Sequence, residues 1–155
     1  MKRTLTAAAV LFALSGGSSL SAQAAPPIVG AWEIEYARGQ RVDETGTTNV
    51  MAKGKMTVVQ SGDSLLATIE LPPRPDGTPT PVSTIGGRLS AGNAVFIQKQ
   101  KVTLNMNGEM HQADAVLTWT LQATADALTG TMAREIPMMG MPSTPSPVQG
   151  VRLKS

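Results

Sequence analysis

The chain has no cysteine, one histidine and few aromatic residues. Its 155 residues include 2 Trp, 1 Tyr and 2 Phe, and only 15% are charged. Lack of cysteine excludes disulfides, thiolate metal sites, a cysteine nucleophile and a cysteine-borne lipid anchor. A single imidazole leaves little material for acid–base chemistry at neutral pH. So few aromatics exclude a base-stacking platform, and no Lys/Arg cluster is present to neutralise phosphates, so nucleic acid is not an expected partner. No apolar run approaches the ~20 residues needed for a helix to span a bilayer.

What is present begins with a leader. Lys2 and Arg3 form a basic start, Leu5 to Leu14 form a short apolar stretch, and Ala22-Gln23-Ala24 supplies a small-residue cleavage site. This pattern predicts a cleaved signal peptide over residues 1–24 and export of residues 25–155, as one domain, to the bacterial periplasm or beyond. Loss of Lys2 and Arg3 takes the base count from 13 to 11, equal to the 11 acids. The mature chain is therefore neutral, and the basic isoelectric point belongs to the leader.

The rest reads as strands and turns. Alternating runs rich in Val, Ile and Thr, broken by Gly, Asn, Asp and Pro, predict an all-β fold with eight strands. These run over 28–37, 54–60, 64–71, 82–89, 93–104, 111–122, 126–135 and 147–154. Tight turns are expected at Ser61-Gly62-Asp63, Ala91-Gly92-Asn93 and Thr124-Ala125-Asp126. The other connections, 38–53, 72–81, 105–110 and 136–146, are expected as long loops. Long and short connections alternate, so an antiparallel meander gathers the hairpins at one end and the loops at the other. Eight strands in that order close into an up-and-down barrel, which removes exposed sheet edges. On the first strand Ile28, Gly30, Trp32, Ile34 and Tyr36 share the expected inner face. Leu65, Ala67 and Ile69 share that of the third, Ala113 to Leu121 at every second residue that of the sixth, and Leu128, Gly130 and Met132 that of the seventh.

Gly30-Ala31-Trp32 at the start of the first strand resembles the G-x-W of the lipocalins, and the meander is similar to the wider calycin group that includes the avidins. The resemblance implies an apolar cup in a barrel, with an Arg from the last strand packed over the Trp. Arg152 stands in the matching place, with Arg134 as a rival. The lipocalin T-D-Y run and the helix after the barrel are absent, so the resemblance implies architecture and no ligand identity.

Three functional readings follow. The first is a non-catalytic cup for a small, largely apolar molecule. Trp32, Ile34, Tyr36, Trp119 and Met132 would form its wall, and small inner residues would leave room. Arg74 would meet an acidic head group, with Arg38, Arg41 and Lys53 nearby at the mouth. A packed interior is the competing expectation. The second is copper held by Met106, Met110, His111, Met138, Met139 and Met141, since thioethers and imidazole suit Cu(I). The same methionines also make an adaptable apolar rim. The third is an envelope interaction module that docks through its loops. Catalysis is not expected: His111 and Asp114 fall on opposite strand faces, and no nucleophile-elbow motif occurs.

Overall fold

In the computed structural model the described residues are 25–74, 76–140 and 144–154, with backbone alone for 38–43 and 47. The proposed leader, Met141 and the side chains of Arg38 and Arg41 lie outside that description. The strands are β1 (Gly30–Asp43), β2 (Gly46–Ser61), β3 (Ser64–Glu70), β4 (Ser83–Ser90), β5 (Asn93–Met106), β6 (Glu109–Ala123), β7 (Ala127–Glu135) and β8 (Ser146–Arg152), with a short 3-10 turn at Pro137–Met139. All eight pair antiparallel with their chain neighbours, and β8 pairs with β1 to close the barrel.

Alternation builds the core. Buried inward residues include Trp32, Ile34 and Tyr36 on β1, Met56 and Val58 on β2, Leu65, Ala67 and Ile69 on β3, and Phe96 on β5. Across the barrel they meet Leu117, Trp119 and Leu121 on β6, Leu128 and Met132 on β7, and Val148 on β8. The space at two of the small inner residues is filled by their neighbours. A Cβ at Gly87 would overlap the Phe96 ring, and one at Gly130 would overlap the Thr120 carbonyl and Leu121. Each glycine admits a large neighbour, which is how such a core reaches close packing. The outer wall carries one apolar row: Val59, Leu66, Gly86 and Ile97 are consecutive cross-strand partners, and the three side chains are exposed.

The hairpin end is sealed. Trp32 is fully buried, and its Nε1 donates to the Ile28 carbonyl at 2.8 Å. Arg152 is the direct strand partner of Trp32, so its guanidinium lies 4.1 Å from the ring centroid. The same guanidinium donates to the carbonyls of Pro27, Val29 and Ala125. Gly30 makes this possible: its φ is +135°, and a Cβ there would strike Nη1 of Arg152. Arg152, and not Arg134, therefore covers the tryptophan; Arg134 sits opposite Leu117 near the other end.

Two expected loops are strands. The 38–53 segment is a β-ribbon turning through Glu44 and Thr45, with a bulge between Ala37 and Gly39. The 105–110 segment turns through Asn107 and Gly108, with φ of 56° and 88°. Positive φ at both central residues is what a two-residue type I′ hairpin needs, and Asn-Gly supplies it. The turn lets β5 and β6 pair as far as Met106 and Glu109. β4 leaves β5 at Ile97 and β7 leaves β6 at Val116, so the pair continues as a two-stranded arm. The β1–β2 ribbon does the same on the opposite side. The loop end is thus flanked by two ribbons and is the end from which the β3–β4 and β7–β8 connections leave.

Removing the guanidinium in Arg152→Ala should cost about 2 kcal/mol in urea unfolding, from the cation–π contact and the charge-assisted hydrogen bonds. Unchanged stability would remove Arg152 from the seal. Gly130→Ala should cost about 3 kcal/mol through overpacking, whereas Gly86→Ala, with open space at its Cβ, should be neutral or slightly stabilising.

Candidate binding pocket

The loop end holds a pocket of about 400 Å3 lined by Ala52, Lys53, Leu71, Pro72, Pro73, Arg74 and Thr80. That volume falls within the about 300–1,000 Å3 of small-molecule sites. Ala52 and Leu71 pack against the barrel core. Lys53 comes from the β1–β2 ribbon, and Arg74 comes from the β3–β4 connection. The lining thus includes two cationic residues along with apolar Ala52 and Leu71; Lys53 is also the direct strand partner of Glu35.

Local chemistry places Arg74. Its N–H donates to the Thr78 carbonyl at 2.9 Å, and its own carbonyl accepts from the Gly77 N–H at 2.8 Å. Gly77 ends the resulting turn with φ +82°. The Asp76 carboxylate accepts from the Thr78 N–H at 2.9 Å, and the Thr80 hydroxyl donates to the Pro72 carbonyl at 2.8 Å. These bonds fix the backbone on either side of Arg74, whose side chain is exposed at the pocket. The Thr78 N–H is also the main reason the Asp76 carboxyl sits below the ordinary aspartate value of 3.8, since it favours the charged form.

Behind the pocket lies an aromatic pair. Tyr36 meets Trp119 edge-on, with ring centroids 5.0 Å apart and planes at 66°. Trp119 is 2% exposed, and its Nε1 has no hydrogen-bond partner among the described residues. Leaving a buried donor unpaired costs about 1–3 kcal/mol. Trp32 and Ile34 are buried within the barrel core, and Met132 is buried beside Trp119 as its strand partner. Of the residues expected to line a cup, the structure thus gathers Arg74 and Lys53 at the pocket and Tyr36 with Trp119 behind it.

Met106, Met110 and His111 lie on the β5–β6 arm, and Met138 and Met139 on the 3-10 turn. Cross-strand pairing puts Met106 with Glu109, and Asn105 with Met110. Met106 and His111 consequently share one face of the arm while Met110 points to the other. His111 Nε2 lies 3.5 Å from the Glu109 carboxylate. Met138 and Met139 sit exposed on the 3-10 turn, which packs against β6. His111 and Asp114 also diverge, and Asp114 pairs with Lys101 at 2.9 Å on the exposed face. Among the described residues no three His, Asp or Glu side chains group as a metal site would require.

Two features of this region escaped sequence reasoning. Lys53 lies on β2 and not in the expected 38–53 loop; Thr47 to Lys53 carries no apolar–polar alternation that signals a strand. Arg134 continues the Leu128, Gly130, Met132 alternation and so takes an inward, half-buried place beside Leu117. Among the described residues no helix is long and apolar enough to cross a membrane. No protein family, curated protein or solved structure matches the chain.

Ionised Asp76 should order the Arg74 loop. Its folded-state pKa is depressed, so this contribution is complete above the unfolded value near 3.8 and is lost as pH falls through the lower folded value. The Thr78 amide proton shift should therefore titrate with a midpoint below 3.8, and should not titrate in Asp76→Ala. A midpoint above 3.8 would contradict the assignment.

Proposed function

We propose that the protein is an exported, lipocalin-like binding protein, and that it holds a small molecule with an apolar body and an acidic group without transforming it. The observation that carries this reading is one pocket whose lining includes both Lys53 and Arg74 along with apolar Ala52 and Leu71. The sealed hairpin end supports it from the other side, because the interior there is already full. A guanidinium makes bidentate contacts with a carboxylate, and an ammonium adds a second donor. The apolar floor favours a hydrocarbon body over a hydrophilic acid. Binding of this kind sits at the mouth of the barrel and needs no hollow along its axis.

Competition between decanoate and the anionic fluorophore 1-anilinonaphthalene-8-sulfonate tests the reading. Decanoate should displace the dye, and 1-decanol should do so far less well. The Lys53→Gln, Arg74→Gln double variant should bind decanoate about tenfold more weakly, the equivalent of about 1.4 kcal/mol. Equal affinity of decanoate and decanol, or an unaffected double variant, would refute it.

A further inference from the structure

The β5–β6 arm ends in a set of donor atoms that the pocket does not use. The Asn107-Gly108 turn places Met106 directly opposite Glu109, and His111 opposite Leu104. Side chains two apart on a strand share a face, and directly opposite residues share it across the pair. Met106, Glu109 and His111 therefore stand together on one face of the arm tip, and Met110 takes the other. Theirs is the face of Ala113 and Ala115, which are buried, and of Leu104, which is half-buried. All three donor side chains are exposed and open to an ion from solvent. The two lysines of the arm, Lys99 and Lys101, fall on the opposite face, where Lys101 bonds Asp114, so neither stands among the donors.

Spacing and donor type give the chemistry. His111 Nε2 lies 3.5 Å from Glu109 Oε2. An N–H···O hydrogen bond is shorter, at about 2.7–3.2 Å. Two donors each about 2.1 Å from one tetrahedral ion stand about 3.4 Å apart, so the imidazole and the carboxylate already have the separation of two ligands to one metal. The third donor, across the strand pair from Glu109, is a thioether. Calcium and magnesium take oxygen, whereas thioether and imidazole together suit copper. The set lacks the third oxygen or imidazole that a harder ion needs, and the Met106 sulfur completes it for copper(I).

We infer that Met106, Glu109 and His111 form a site for one copper(I) ion, a binding function separate from the Lys53–Arg74 pocket. Three ligands on an exposed tip leave a position open, so the ion is exchangeable rather than enclosed.

Anaerobic titration of the protein with copper(I), in competition with the chelator bicinchoninate, tests this. One ion should bind per chain. Met106→Leu and His111→Ala should each weaken binding by at least about tenfold, since loss of a mere partner of a ligand already costs that much. Met110→Leu, on the other face of the same hairpin, and the Met138→Leu, Met139→Leu double variant should bind as the parent does. These positions are exposed, so the variants should keep the parent's circular dichroism. Copper(I) is diamagnetic, so the Met106 methyl and His111 ring protons should shift together on loading. Zinc should bind more weakly than copper(I) and without dependence on Met106. Absence of copper binding, or affinity unaffected by both Met106→Leu and His111→Ala, would overturn the site. Equal loss in Met110→Leu or in the Met138, Met139 variant would also overturn it, by placing the ion elsewhere. Zinc bound more tightly than copper(I) would overturn the choice of metal.

Discussion

Closure of this barrel depends on the contact between Trp32 and Arg152. They are opposite one another where β1 meets β8, the seam between the first and last strands. A meander of eight strands has no covalent reason to close, and its two terminal strands would otherwise expose edges. Stacking the guanidinium on the ring fixes the register of that seam, and its donation to three loop carbonyls draws the chain's 25–29 segment and the β6–β7 turn onto the same point. Gly30 leaves the volume the guanidinium needs. The tripeptide Gly30-Ala31-Trp32 is thus explained by packing around one cation.

That seal divides the molecule. At the hairpin end Trp32, Phe96, Met56, Leu121 and Leu128 are fully buried, and glycines make room for them. Short turns there hold the strands tightly. At the other end the strands separate into ribbons and longer connections, and the chain has freedom to place polar groups. Lys53, Arg74 and Tyr36 belong to that end, and Trp119, the strand partner of Phe96, lies between the two. The rigid half provides the fixed floor, and the loop half provides the chemistry, a division common where function sits on connections held by a scaffold.

Much of the fold was legible because a half-buried strand writes its faces into every second residue. Leu65-Ala67-Ile69 and Ala115-Leu117-Trp119-Leu121 could be assigned to the interior from spacing alone. Two strand pairs ran longer than expected because their ribbons leave the barrel, so their residues no longer alternate between core and water. Thr47, Thr48 and Asn49 looked like loop for that reason. The Asn107-Gly108 turn was a missed signal rather than a hidden one. The pocket was only half legible: the cations were visible, but bringing Lys53 to Arg74 depends on the β1–β2 ribbon meeting the β3–β4 connection. An unpartnered indole N–H cannot be read from sequence, because it is a property of what surrounds Trp119.

The most direct test of a sealed barrel with a pocket at its loop end is a methyl and amide NMR titration of the protein with decanoate. Saturable shifts should concentrate at Ala52, Lys53, Leu71, Arg74 and Thr80, while Leu128 and the Trp32 indole stay fixed. Shifts centred on the Trp32 end, shifts centred on the outer row of Val59, Leu66 and Ile97, or no saturable shifts would contradict it.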